Sequence, residues 1–226
     1  KDKFFSIISH DLRSPMNSLG ATLDLLNQQN LSPAEFSELS KDLRVQFDHT
    51  RTLINNLLNW TLVQMDKLKI QPEKVVLHRK VEESFEALGY LYDKSITMEN
   101  LVDTKVMAYA DPNIVNLVLR NLILNAIKFT KSGGRIGVAA ESKYNEVVVS
   151  VSDNGIGILP EYRESIFKKT SGYSTRGTAN EKGTGLGLIL CKEFVEKNGG
   201  RIWFETEVGV GTTFYFSLPK EAPRQM

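Results

Sequence analysis

The hydrophobic residues in the first part of the chain recur at helical spacing. One series advances in alternating steps of four and three residues, as a coiled-coil seam does: Ile8, Leu12, Pro15, Leu19, Thr22 and Leu26. A second series comprises Phe36, Leu39, Leu43, Leu53, Leu57 and Trp60. Ser32-Pro33 separates the two series and is typical of a helix start, because proline suits the first helical position. The pattern predicts two long helices joined by a short loop, which is an antiparallel hairpin.

The second predicted helix carries a further apolar stripe beside its seam. The stripe consists of Phe47, Ile54, Leu58, Thr61, Met65 and Leu68. One hairpin cannot bury such wide apolar faces, whereas two hairpins packed as a four-helix bundle can. We therefore expect residues 1–69 to form an all-α domain that makes the protein a homodimer. The alternative is that the remainder of the same chain folds back and covers the stripe.

Glycine marks the change to a second kind of sequence. Of the 16 glycines only Gly20 precedes Gly89, and short alternating runs between turn residues follow. Predicted strands cover 96–102, 105–109, 135–142, 147–153, 201–207 and 212–218, and predicted helices cover 81–92, 113–129 and 186–198. We expect residues 70–77 to be a linker with the first strand, residues 78–219 to be an α/β sandwich, and residues 220–226 to be a tail. The sheet of this sandwich should be mixed and largely antiparallel.

Composition narrows the function classes. The 226 residues suffice for two modest domains, and a net charge of +1 provides no basic field for nucleic acid. The single cysteine, Cys191, cannot form an internal disulfide, which fits a reducing compartment. No apolar run approaches the about 18 residues that span a bilayer. Because the sequence starts at Lys1 and enters a helical pattern at once, we expect a cytoplasmic fragment whose upstream segments, including any membrane span, are missing.

Two glycine-bearing stretches are candidates for ligand binding. The first, ahead of a predicted helix, would turn backbone N–H groups toward a phosphate chain, and it reads Gly183-Thr184-Gly185-Leu186-Gly187. Its spacing fits neither the dinucleotide fingerprint nor the Walker pattern, and a loop that needs tight turns would also explain it. The second stretch begins at Asp153, after a predicted strand, where a carboxylate could accept a hydrogen bond from an adenine amino group. A plain turn at Asn154-Gly155 is the alternative.

Polar side chains share one face of the predicted helix 113–129. Asn121 and Asn125 lie four residues apart, and Lys128 lies three residues further on. A solvated face would account for Lys128, but it accounts less well for two asparagines, which are poor helix formers. Amide oxygens suit Mg²⁺ that already carries phosphates and waters.

His10 and Asp11 stand side by side in the first predicted helix. His10 lies about 200° from the seam and should face solvent. A neutral imidazole is available as a nucleophile near pH 7, and Asp11 could orient the ring and accept its second proton. Pro15 should bend the helix within a turn of His10 and thereby make the helix less stable. Sequences often keep a destabilising residue of this kind at a functional site. An ordinary surface histidine is the alternative.

These stretches, in this order, resemble the sequence boxes of the sensor histidine kinases of bacterial two-component systems. The similar segments are 9–15 (H box), 121–130 with Phe129 (N box), 153–158 with Gly155 and Gly157 (first glycine box), 166–167 with Phe167 (F box) and 183–187 (second glycine box). The resemblance covers nearly the whole chain. It implies a dimerisation and histidine-phosphotransfer bundle joined to an ATP-binding domain of the GHKL type.

The resemblance also implies roles for single residues. Asn125, with Asn121 beside it, would ligate Mg²⁺, Lys128 would contact phosphate, and Asp153 would bind the adenine amino group. Asp11 would act as the base, although the family more often has a longer Glu there.

The resemblance implies two further roles. Ser14 keeps the hydroxyl that can place water for dephosphorylation of a response regulator. Either Arg176 or Lys182 would touch the γ-phosphate, and the sequence does not choose between them.

The function implied is that of an ATP-dependent protein histidine kinase. It would phosphorylate His10 within a dimer and pass the phosphoryl group to an aspartate of a response-regulator receiver domain. One alternative is a GHKL ATPase that uses ATP as a conformational switch, and another is a degenerate kinase that serves as a dimeric scaffold. The sequence leaves the sensed signal, the cognate regulator and the choice between transfer within and between subunits open.

Overall fold

The computed structural model describes residues 16–27, 31–64, 70–89, 94–168, 177–178 and 185–222. The chain divides into two compact units, Lys1–Lys67 and Leu68–Met226. None of the helices in the described part combines the length and hydropathy needed to cross a membrane.

The described part of the first unit consists of two helices. Residues 16–26 form α1, and α2 runs over Pro33–Gln64. Ser32 starts α2 with a reciprocal cap: its hydroxyl accepts from the Glu35 N–H at 3.3 Å, and the Glu35 carboxylate accepts from the Ser32 N–H at 2.8 Å. The hydrogen bonds from Ser32 also lower the pKa of Glu35. The helix start predicted at Ser32-Pro33 is therefore confirmed.

The second unit is built on two sheets. Its strands are β1 (Glu73–Val76), β2 (Thr97–Asn100), β3 (Met107–Ala110), β4 (Arg135–Ser142), β5 (Glu146–Asp153), β6 (Ile202–Glu207) and β7 (Gly211–Pro219). The larger sheet has the order β2-β4-β5-β7-β6, and β1 pairs with β3 in a separate ribbon. Only the β2–β4 pair is parallel among the described strands. The predicted mixed, largely antiparallel sheet is confirmed.

The helices of this unit are α3 (Leu77–Gly89), α4 (Pro112–Phe129), the short α5 (Pro160–Arg163) and α6 (Gly187–Lys197). Asp111-Pro112 has the residue types of a helix N-cap and first turn. Asp111 does cap α4, because its Oδ1 accepts from the N–H groups of Asn113 (2.9 Å) and Ile114 (3.4 Å). The structure corrects one expectation and adds one helix. Helix α3 begins at Leu77 rather than Val81, directly after β1, and α5 had no counterpart in the hydrophobic pattern.

The core lies between the larger sheet and the helices α4 and α6. Alternate residues of β5 point into it, and Val147, Val149 and Val151 are each at most 1% exposed. Cys191 of α6 is fully buried, with its Sγ 4.0 Å from the Val118 carbonyl oxygen, and burial raises the pKa of its thiol. Cys191 is thus a core residue. This packing fixes α4 and α6 side by side above the sheet.

Candidate functional site

The N-box face of α4 packs against the start of α6. Asn121 is buried, and its Nδ2 donates to the Leu117 carbonyl at 2.9 Å. Its Oδ1 faces Gly187, where an added Cβ would lie only 2.8 Å from that oxygen. Gly185 has a left-handed φ of 68°, which glycine adopts without strain. The pair Asn121 and Gly187 therefore sets the approach of the two helices and brings the first turn of α6 beside α4.

Two predicted ligands of the phosphate end occupy the last turns of α4. Asn125 and Lys128 are half-buried, one and two turns beyond Asn121. The Lys128 ammonium lies 4.7 Å from the centre of the Phe129 ring, in a cation–π contact. An amide oxygen and an ammonium thus stand on the same side of the helix, where they can meet the oxygens of a phosphate chain.

Asp153 ends β5, and its carboxylate is half-buried. Its Oδ1 accepts from the Gly155 N–H at 2.9 Å and from the Thr212 N–H at 3.3 Å. Burial raises the pKa of Asp153 from 3.8 to about 6, although the two backbone donors act in the opposite direction. Among the described residues both bonds fall on Oδ1, so Oδ2 can accept a hydrogen bond from a ligand.

The first glycine box packs between the end of α4 and the β6–β7 turn. An added Cβ on Gly155 would lie 2.4 Å from the Phe129 carbonyl oxygen, which also accepts from the Ile156 N–H at 3.1 Å. Gly157 has a φ of 72°, and a Cβ there would lie 2.3 Å from the Glu207 carbonyl oxygen. Both positions require glycine for space, and Gly157 requires it for conformation as well. The plain turn suggested as the alternative for this stretch does not account for these approaches.

Phe167 takes a packing position. Its ring centre lies 6.0 Å from that of Phe204 and 6.4 Å from that of Phe214, on β6 and β7. The side chain thereby ties the segment after α5 to the larger sheet.

Several predicted site residues lie outside the described part of the chain. They are His10, Asp11, Ser14, Arg176, Lys182, Gly183 and Thr184, and Pro15 with its predicted bend lies there too.

Sequence reasoning missed four residues that border the site. Thr212 donates to Asp153, and a Cβ on Gly211 would lie 2.0 Å from the Asp153 carbonyl oxygen. The sequence shows only a turn there, and the register of β5 with β7 makes the contact. Lys94 and Thr178 meet at the end of α4, where the Lys94 ammonium donates to the Thr178 hydroxyl at 2.8 Å. No local sequence pattern predicts that either residue borders the site.

The arrangement has two chemically different ends. A partly buried carboxylate at Asp153 suits a polar group of a flat ring. The start of α6, together with Asn125 and Lys128, suits an anion. Gly155 and Ile156 contact Phe129 at the end of α4, so the two ends are joined by one run of the chain. An elongated ligand with a ring and a phosphate chain requires two such ends.

Two family models match this chain. Residues 1–63 match the family model of the His Kinase A (phospho-acceptor) domain. Residues 110–222 match the family model of the histidine kinase-, DNA gyrase B- and HSP90-like ATPase.

Curated relatives match over almost the whole chain. Drug sensory protein A of Synechocystis sp. is 32% identical over 232 residues, which are 96% of this chain and 35% of the relative. The adaptive-response sensory kinase SasA of Thermosynechococcus vestitus is 32% identical over 231 residues, which are 97% of this chain and 60% of the relative. This chain thus spans only between 35% and 60% of the length of these two relatives.

Solved structures share the fold. The catalytic domain of the histidine kinase ThkA is 31% identical and matches with a TM-score of 0.58, covering 66% of this chain and 96% of that domain. The structure of ThkA in complex with response regulator protein TrrA matches with a TM-score of 0.68 and 23% identity, covering 97% of this chain and 61% of that chain. At this lower identity the likeness concerns the fold alone.

Proposed function

The chain belongs to the sensor histidine kinases, and on that premise we propose that it phosphorylates its own His10 with ATP and passes the phosphoryl group to a response regulator. One observation carries this proposal. A phospho-acceptor domain over residues 1–63, which contains His10, and an ATPase domain over residues 110–222 occur in one chain. A GHKL ATPase used only as a switch would have no need of the phospho-acceptor domain.

The adenine end of ATP is assigned to Asp153. Its Oδ2 would accept from the exocyclic amino group, while the backbone donors hold Oδ1 in place. Gly155 and Gly157 allow the backbone to approach the base closely. Because the ring would then exclude water from a carboxylate that is already half-buried, this hydrogen bond should discriminate strongly for an amino group.

The phosphate end is assigned to α4 and the second glycine box. The N–H groups at Gly185, Leu186 and Gly187 stand at the positive end of α6, which favours an anion. Lys128 supplies an ammonium to the same phosphates. Gly183 and Thr184, which precede this turn, belong to the same box by resemblance.

The donor set on α4 fits Mg²⁺. When bound with ATP, Mg²⁺ would neutralise charge that develops on the transferring phosphoryl group. Asn125 offers a half-buried amide oxygen and is our proposed ligand. Asn121, also predicted as a ligand, directs its own Oδ1 toward Gly187 and acts mainly by holding α6 in position. Phosphate oxygens and waters would complete the shell, as is usual for Mg²⁺ that is bound with a nucleotide.

The chemical step is assigned to His10 and Asp11. The imidazole attacks the γ-phosphorus, a P–N bond forms as the bond to the ADP oxygen breaks, and Asp11 accepts the proton from the other ring nitrogen. Arg176 or Lys182 would stabilise the γ-phosphate oxygens. In a separate reaction, hydrolysis of the phosphoryl group on the regulator's aspartate, Ser14 would help place the attacking water.

The partners are a response-regulator receiver domain and a second copy of the chain. The complex of ThkA with the response regulator TrrA supports the first partner, because ThkA shares this fold. An exposed apolar line along α2 supports the second, and its members with their exposed fractions are Phe36 (54%), Phe47 (56%), Ile54 (41%) and Leu58 (56%). These side chains recur on one helix face, as the packing face of a four-helix bundle requires.

Labelled ATP tests the proposal directly. The protein is incubated with γ-labelled ATP and Mg²⁺, and the phosphoprotein is treated with acid or alkali. We expect acid-labile, alkali-stable label that is absent from His10→Ala and retained in His49→Ala. Label that persists in His10→Ala would refute the assignment of the acceptor, and ATP turnover with no phosphoprotein would favour the switch ATPase.

A further inference from the structure

Lys94 is a buried lysine in the ATPase unit. It precedes β2 and is 9% exposed. Its ammonium donates to the carbonyls of Ile127 (2.9 Å), Lys128 (3.1 Å) and Thr130 (3.5 Å) and to the Thr178 hydroxyl (2.8 Å). Among the described residues, the three ammonium protons thus face four acceptors. A lysine is rarely buried without such a set of partners, so its position is determined by the end of α4.

The C-terminal end of α4 is held by three separate parts of the chain. The last carbonyls of a helix have no partner within it. Here the Ile127 carbonyl accepts from Lys94, and the Phe129 carbonyl accepts from the Ile156 N–H of the first glycine box. The Lys128 carbonyl accepts from Lys94 and also from the Thr178 N–H at 2.9 Å. The turn that carries Asn125 and Lys128 is therefore fixed by these contacts.

Thr178 is the least local of these partners. Its hydroxyl donates to the Thr130 carbonyl at 2.8 Å while accepting from Lys94, which lies 84 residues earlier. In the sequence it stands two residues after Arg176 and four before Lys182. The Lys94 cation therefore joins the C-terminal end of α4 to Thr178, which the sequence places between Arg176 and Lys182.

We propose that Lys94 and Thr178 are positioning residues that hold this junction in the geometry needed to bind a nucleoside triphosphate in preference to a diphosphate. The inference rests on the proposed function, because it concerns the same nucleotide site. Neither side chain is proposed to contact the nucleotide itself. Both act through Lys128 and through the backbone at residue 178.

A purely structural role makes a different prediction. If Lys94 only capped α4, its loss would weaken the whole unit and lower the affinity for every adenine nucleotide equally. If it positions the phosphate end, adenosine should still bind through Asp153, whereas ligands with more phosphates should bind progressively worse. The series adenosine, ADP and ATP therefore separates the two roles.

The experiment uses Thr178→Val and Thr178→Ser in the full chain, because Thr178 is exposed and its substitution leaves the core intact. Valine keeps the shape and the backbone N–H but removes the hydroxyl, and serine retains the hydroxyl. Dissociation constants for adenosine, ADP and ATP are measured calorimetrically with Mg²⁺. Thr104→Val, at an exposed turn, is the matched control.

We expect the wild-type protein to bind ATP more tightly than ADP. Thr178→Val should weaken ATP binding about five- to tenfold, because it removes one or two hydrogen bonds. The same variant should weaken ADP binding less and leave adenosine binding unchanged. Thr178→Ser should restore the preference. Lys94→Met should lose the same preference, and combining it with Thr178→Val should add no further loss, because the two residues act through one contact.

Three results would overturn the inference while leaving the proposed function standing: an equal loss for all three ligands, a valine variant that keeps the preference for ATP, or a wild-type protein without such a preference. A wild-type protein that binds ATP poorly or fails to label His10 would instead contradict the proposed function itself.

Discussion

Replacing Asp153 by Asn should stabilise the nucleotide-free protein while damaging its binding of adenine. The Asp153 carboxylate is half-buried between β5 and β7, and its Oδ1 accepts from the N–H groups of Gly155 and Thr212. An asparagine Oδ1 can accept the same two bonds without burying a charge. The variant therefore removes the cost of desolvation and keeps the local hydrogen bonds.

The magnitude follows from the pKa. Burial raises the pKa of Asp153 from 3.8 to about 6. Each pKa unit corresponds to about 1.4 kcal/mol, so the buried charge costs at most about 3 kcal/mol at neutral pH. Because the side chain keeps some contact with solvent, we expect a gain of about 1–2 kcal/mol in the free energy of unfolding of Asp153→Asn at pH 8.

The pH dependence has a definite sign. The folded protein holds the Asp153 proton more tightly than the unfolded chain does, since the folded pKa is raised. The contribution of this group to stability is therefore intact below about pH 4 and is lost as the pH rises through about 6. The advantage of Asp153→Asn should be near zero at pH 4 and should reach its full value above pH 7.

The assay is urea unfolding of both proteins between pH 4 and 8, followed by tryptophan fluorescence, with ATP affinity measured in parallel. Asp103→Asn is the control, because Asp103 makes the same bond to the N–H two residues on (2.8 Å to Lys105) but is exposed. An Asp153→Asn variant that is no more stable than wild type at pH 8, or whose advantage is the same at every pH, would refute the reasoning. Tight ATP binding by this variant would remove Asp153 from the adenine site.

The remaining predictions concern backbone, dimer and cap. In urea unfolding, Gly157→Ala should lower the free energy of unfolding by at least about 2 kcal/mol more than Gly133→Ala does. Both glycines have positive φ (72° and 78°), but only at Gly157 would an added Cβ lie against a carbonyl oxygen, 2.3 Å away. Equal losses of stability would contradict this. Phe47→Glu should turn a dimer into a monomer in light scattering, whereas the exposed Val210→Glu should not, and a Phe47→Glu dimer would argue against the α2 interface. Asp111→Ala should lower the free energy of unfolding by about 1–3 kcal/mol. The reason is that Asp111 caps α4 and also accepts a hydrogen bond from the Gln71 N–H at 2.9 Å. A loss below about 0.5 kcal/mol would show that water replaces the hydrogen bonds of this carboxylate.

The sequence alone determined features that depend on near neighbours. The start of α2 at Ser32-Pro33 and the cap of α4 at Asp111 follow from short patterns, because a cap bonds to N–H groups two or three residues away. Helical and alternating periodicities predicted α4 and the β4–β5 hairpin for the same reason. The order of the sequence boxes identified the family, which the family models and relatives confirm.

Tertiary structure alone decided which distant groups meet. The register of β5 with β7 delivers the Thr212 N–H to Asp153, and the packing of α4 on α6 turns the Asn121 amide toward Gly187. Lys94 reaches the end of α4 although nothing near it in sequence predicts the contact. Such encounters depend on strand register and helix packing over the whole unit, which no local periodicity encodes. The chemical groups of the site were therefore readable from the sequence, whereas their supporting contacts and the raised pKa of Asp153 arose only from the fold.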